Sequence, residues 1–198
     1  MRLFRNTTLY WLISVVVWSC ADTPSAVSES ESSALTIPGL WQDVLAEHDP
    51  FVSHRPADVE CAVGGAVVED GILEVDTGRC NYFAASQPLR RDLNLEQTVF
   101  LTLYHDDLFS VDGGSAHIAL MIDDVLLWET DISIPSESRL FTIQIPLESA
   151  YFEGDRVYFH LHNHGVNHWR IVSLIAGASE STESSEPSEP ICTHDCAP

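Results

Sequence analysis

Ala116-His117-Ile118-Ala119-Leu120-Met121-Ile122-Asp123-Asp124-Val125 decides the fold. Ala116, Ile118, Leu120 and Ile122 alternate with His117, Ala119, Met121 and Asp123, a period of two that sends one set of side chains into a core. Asp123-Asp124 then turns the chain into Val125 to Trp128. The same rhythm recurs on both sides. Asp70-Gly71 joins Val67-Val68-Glu69 to Ile72-Leu73-Glu74-Val75-Asp76 as a hairpin signal. Thr98 to His105 is rich in β-branched and aromatic residues. Phe141, Ile143 and Ile145 alternate with Thr142 and Gln144, and Pro146 ends that run. Val157, Phe159 and Leu161 alternate with Tyr158, His160 and His162, and Trp169 to Ile175 supplies a closing strand. Short strands separated by turn residues indicate an all-β sandwich or barrel. Only Trp41 to Glu47 has the makings of a helical turn.

The flanks read differently. Arg2 and Arg5 give a basic start, and Leu9 to Val17 is a short apolar run ahead of Trp18, Ser19 and Cys20. That order is a secretory signal, and the run is too short for a spanning helix, which needs roughly 20 apolar residues. The expected organisation is a signal peptide over 1–19 and a Ser/Glu-rich tether over 20–35. One domain follows over 36–177, then a Ser/Glu/Pro-rich tail over 178–198. Tether and tail carry too little apolar surface to offset ordering entropy.

Thirty acidic residues stand against nine arginines, and there is no lysine. The deficit of positive charge excludes nucleic acid as a partner and disfavours adhesion to anionic lipid heads. Cations, neutral sugars and basic protein surfaces remain open; solubility alone also accounts for the charge.

Five cysteines, at 20, 61, 80, 192 and 196, make an odd number for an exported chain. Val17-Trp18-Ser19-Cys20 resembles the lipobox of bacterial lipoproteins, with Trp18 where that box has a small residue. The resemblance implies lipidation of Cys20 (palmitate among its chains) and anchoring in the bilayer of a bacterial envelope. Ala21 in place of an acidic residue implies the outer membrane rather than the inner. An ordinary cleaved signal leaving Cys20 free is the competing reading. Four cysteines then remain, and proximity favours Cys61 with Cys80 and Cys192 with Cys196, although three connectivities are open. A loop of about 20 residues closed by the first pair contributes on the order of 3 kcal/mol.

The strand pattern over residues 58–176, closing on Asn167 and Trp169, resembles the antiparallel jelly-roll sandwiches of galactose-binding-like and other carbohydrate-binding modules. What the resemblance implies is a jelly-roll-like β-sandwich acting as a binding or adhesion module for a glycan or an envelope protein.

Chemistry concentrates in Tyr158-Phe159-His160-Leu161-His162-Asn163-His164-Gly165-Val166-Asn167-His168-Trp169. Strand periodicity aligns Tyr158, His160, His162 and His164 opposite Val157, Phe159 and Leu161. Next-nearest side chains on a strand lie about 6 to 7 Å apart, so two imidazoles can share one transition-metal ion. A third ligand would come from another strand, with His117, Glu129 and Asp131 as candidates. Alternatively, Tyr158, Trp169 and Trp128 offer flat apolar faces to a sugar while imidazoles and Arg170 bond its hydroxyls. A purely structural stripe covering the wet face of the sheet competes with both, and Asn163, Gly165 and Asn167 read as a hairpin turn. Asp106, Asp107 and Asp112 form an acidic loop with oxygen ligands for calcium, although their spacing fits no EF-hand and a solvated loop reads as well. Cys192-Thr193-His194-Asp195-Cys196 is one ligand pair short of a structural zinc site and reads better as a disulfide loop.

No nucleophile elbow, zinc-protease helix or phosphate-cradling loop is present in the sequence. Catalytic residues are therefore not assigned, and the sequence leans away from an enzyme. A metal-dependent enzyme centred on His160, His162 and His164 is the alternative, and a purely structural envelope component is another.

Overall fold

The alternating segments pair into two antiparallel sheets of five strands each, shown by a computed structural model that describes residues 33–178. Cys20, Cys192 and Cys196 lie outside the described residues. The strands are β1 (Gln42–Asp43), β2 (Ala66–Glu69), β3 (Ile72–Asp76), β4 (Tyr82–Pro88), β5 (Gln97–His105), β6 (Gly114–Ile122), β7 (Val125–Ile134), β8 (Arg139–Pro146), β9 (Arg156–Asn163) and β10 (His168–Ala178). The first sheet runs β2-β3-β10-β5-β8 and the second β1-β4-β9-β6-β7. Apart from the β2–β3 and β6–β7 hairpins, each connection crosses from one sheet to the other, the winding expected of a jelly-roll-like sandwich.

Turn chemistry sets both hairpins. Asp70 and Gly71 both take positive φ, 49° and 78°, the backbone that a type I′ connection requires. In the β6–β7 turn Asp123 alone of the two central residues takes positive φ, at 50°. The core lies between the sheets and collects the inward sets that periodicity marks: Ile118, Leu120 and Ile122 of β6, Val157, Phe159 and Leu161 of β9, Leu101 and Leu103 of β5. Leu35, which composition places at the end of the tether, is fully buried in the same core, and Ala34 bridges Ile175. The region over Trp41 to Glu47 becomes the short strand β1 and part of a 3₁₀ turn, Ala46–His48. Cys61 and Cys80 form the favoured disulfide.

Strand β4 has no counterpart in the sequence reading, and its burial explains why. Tyr82 to Gln87 are buried without alternation, because the sandwich core covers one face and the segment Asp49–Arg55 covers the other. A strand hidden on both faces loses the polar half of its pattern.

The stretch Asn163 to His168 is a corner between sheets and not the expected hairpin, since β9 belongs to the second sheet and β10 to the first. Its polar side chains are consumed by the crossing. The Thr77 hydroxyl, at 4% exposure, accepts from the Asn163 amide (3.0 Å) and the Asn167 N–H (2.9 Å) while donating to the Gly165 carbonyl (2.9 Å). The Asn163 carbonyl takes the Trp169 indole N–H at 3.2 Å, and Asn167 Oδ1 takes the Phe109 N–H at 2.7 Å. Gly165 sits at φ 93°, where a Cβ would collide with the Phe109 carbonyl. Removing the hydroxyl strands the buried Asn167 N–H, while the Asn163 amide keeps the His164 and Gly165 carbonyls. Thr77→Val should cost about 2 kcal/mol in urea unfolding, and Thr77→Ser less than half of that; equal losses would mean that packing and not the hydroxyl holds the corner.

Candidate functional site

The outer face of the second sheet begins with small residues. His160 on β9 stands between Ala84 on β4 and Ala119 on β6, its register partners on either side. Two methyl groups beside a large ring leave a depression, and the segment Asp49–Arg55 fills it. Phe51 stacks on His160, centroids 4.7 Å apart and 19° between planes. The short 3₁₀ turn Val52–His54 then lays the His54 ring parallel to that of His117, centroids 3.5 Å apart.

A buried carboxylate fastens this segment. Asp49 accepts the Tyr82 hydroxyl at 2.6 Å, the Arg55 guanidinium at 2.8 Å and the Phe51 N–H at 2.9 Å. Arg55 lies over the Tyr82 ring, 5.0 Å from its centroid. Burial, reinforced by the Asp49 charge, pushes the Tyr82 hydroxyl far above the ordinary tyrosine range, so it stays a donor.

The result is a cluster of three imidazoles. One ligand atom each from His54, His117 and His160 lies within 4.8 Å of the others, the one such grouping among the described residues. His160 is fully buried, and neither ring nitrogen has a partner at hydrogen-bonding geometry. Burial, with His117, His54 and His162 nearby, lowers its pKa to about 2; the Phe83 backbone opposes this only weakly. His160 is therefore neutral. His117, at 5% exposure, has its Nε2 3.3 Å from a Glu129 carboxylate oxygen and leaves its Nδ1 buried without a partner. His162 stands beside the cluster, directly opposite His117, and burial together with His164, His54 and His117 lowers its pKa as well.

The other residues singled out from sequence are distributed around the molecule. His164 is exposed, and its Nδ1 accepts the Ser115 N–H at 3.2 Å. It shares with His162 and Asp112 a wide depression of about 750 Å³ at one end of the sandwich. Trp169 is core, at 2% exposure, and Trp128 is half-buried against that core. Arg170 lies on the first sheet, bonded to Glu74 at 2.9 Å and paired with Asp106 at 3.3 Å, so neither Trp169 nor Arg170 joins the histidine face. Asp107 accepts the Ser138 N–H at 2.7 Å, and the three loop carboxylates thus take separate places.

Tyr158 borders a groove of about 510 Å³ on the same face of the second sheet. Gln42, Asp43 and His48 line one side, Ser86 and Arg156 the other. His54 and Asp49 escape sequence reading because they come from irregular chain between β1 and β2, where no period marks which side chains meet the sheet. His117, by contrast, is one of the candidates that the sequence offers for a ligand from another strand, and the structure places it beside His160.

No family model matches the chain, and no curated protein matches it. Solved structures do. One described as "CBM4 structure and function" aligns with 58% of this chain and 88% of its own, at 11% identity and a TM-score of 0.39. The structure of PfGH50B aligns with 65% of this chain at 9% identity and a TM-score of 0.39. A GH115 4-O-methyl-alpha-glucuronidase, BtGH115A, aligns with 64% at 10% identity and a TM-score of 0.38. The chain spans 23% and 17% of those last two proteins.

A neutral, buried His160 makes stability depend on pH. The unfolded chain protonates this ring near its ordinary pKa of 6.5, whereas the fold holds it unprotonated down to about 2. Stability from this group is therefore complete above 6.5 and falls as the pH drops below it, by up to about 1.4 kcal/mol per pH unit. Urea unfolding of the wild type between pH 7.5 and 4.5 should show a steeper loss than His160→Leu. Parallel curves would contradict the assignment.

Proposed function

We propose that the chain is a non-catalytic binding module, tethered to a bacterial envelope through a lipid on Cys20, that takes a neutral polyhydroxylated ligand such as a glycan. The groove beside Tyr158 carries this reading. A half-exposed phenol ring offers a flat apolar plate, and hydroxyl-bonding groups of three kinds surround it: the Asp43 carboxylate, the Arg156 guanidinium and the Gln42 amide. Sugars present apolar C–H faces edged by hydroxyl groups, which fits a plate ringed by donors and acceptors. Arg156 is already oriented, its Nη1 donating to the Ser86 hydroxyl at 3.1 Å. A net charge of −21 favours neutral over anionic glycans.

The tether supports the same reading. Acyl chains contribute roughly 0.8 kcal/mol per buried methylene, and more than one chain is needed for stable anchoring. A Ser/Glu-rich leader of the length read from sequence would hold the sandwich clear of the bilayer.

A glycan array probed with the soluble domain should retain a neutral glycan, and Tyr158→Ala or Arg156→Ala should weaken retention about tenfold, equivalent to 1.4 kcal/mol. Failure of the wild type to retain any glycan would remove the reading, as would indifference to both substitutions. Growth with a palmitate analogue should label the wild type and spare Cys20→Ala; label persisting in that variant would exclude the anchor.

A further inference from the structure

We propose that His54, His117 and His160 form a binding site for a late first-row transition-metal ion of the zinc or copper(II) class, separate from the glycan groove. Three observations meet here. The ligand atoms of the three rings are already gathered within 4.8 Å. Zinc–imidazole bonds of 2.0–2.1 Å place the nitrogens of a tetrahedral site roughly 3.4 Å apart, so closure asks for a shift near one ångström. His54 is the half-exposed member, carried on a three-residue turn, and closure requires its ring to leave the parallel stack with His117.

The second observation is a set of three orphaned buried nitrogens. A buried polar atom without a partner is costly, and in a native fold it calls for an occupant. His117 Nδ1 and both nitrogens of His160 are such atoms, and they belong to the gathered residues.

The third is the support around the ligands. A metal-bound histidine commonly donates its other N–H to a carboxylate or a carbonyl, which fixes the tautomer and turns the free lone pair inward. Glu129 stands at His117 Nε2 in that role and leaves Nδ1 as the ligand atom. Nitrogen donors select zinc and copper over calcium and magnesium, which prefer oxygen. Three protein ligands leave one position of a tetrahedral ion for water or another small ligand.

The test is titration of the full chain, purified without a polyhistidine tag, with zinc and with cobalt(II), the latter read by its visible absorption. One equivalent per chain is expected, with a cobalt spectrum of low coordination number. His54→Ala, on the exposed turn, should weaken zinc binding at least a hundredfold, and Glu129→Gln roughly tenfold. Both positions are open enough to solvent that circular dichroism should stay native. His162→Ala/His164→Ala and Cys192→Ser/Cys196→Ser should bind as the wild type does. Absence of stoichiometric zinc in the wild type would overturn the proposal. So would zinc that survives His54→Ala, or zinc lost only in the His162/His164 or the cysteine variant.

Discussion

The hydrogen bonds converging on Asp49 organise the outer face of the second sheet. A carboxylate with a fully buried side chain is expensive unless it is hydrogen-bonded and paired, and here a phenol, a guanidinium and a backbone N–H supply three bonds. Those bonds tie irregular chain to β4 and so decide what lies over the second sheet. Phe51 reaches His160 only because Asp49 turns the chain there, and His54 reaches His117 three residues later. The disulfide between Cys61 and Cys80 ties the chain after the segment to the chain entering β4. Both ends of the covering are thus attached to the same strand region.

The two outer faces of the sandwich are built for different ends. On the first sheet, Arg170, Glu74 and Asp106 form a partly exposed ion-pair chain beside Tyr104, of the kind that contributes solubility more than stability. On the second, small residues next to large rings make room for a covering segment. One side of that segment is the groove at Tyr158 and the other is the imidazole cluster. A glycan and a metal ion would therefore bind the same face without sharing a residue.

Much of the fold was legible because most strands bury one face. β3, β5, β6, β8 and β9 each show a period of two in sequence, and Asp70-Gly71 and Asp123-Asp124 announce their hairpins through residues that tolerate positive φ. β4 was illegible for the opposite reason, being covered on both sides. The corner at Asn163–His168 carries the same turn residues as a hairpin, and only its pairing distinguishes the two. Within the site, the outward alignment of Tyr158, His160 and His162 followed from periodicity, and His117 from the strand that opens the sequence reading. His54 did not. Its partners are set by a tertiary contact through Asp49, and no local pattern encodes a hydrogen bond that spans 33 residues to Tyr82.

If Asp49 holds the covering segment in place, releasing it should free that segment and leave the sandwich intact. Amide hydrogen exchange of Asp49→Ala against the wild type tests this directly. The account predicts that the His54 and Arg55 amides, bonded to Phe51 and Val52 carbonyls, lose protection while β5, β6 and β10 keep theirs. Unchanged protection at His54 and Arg55, or a uniform loss across all strands, would contradict it.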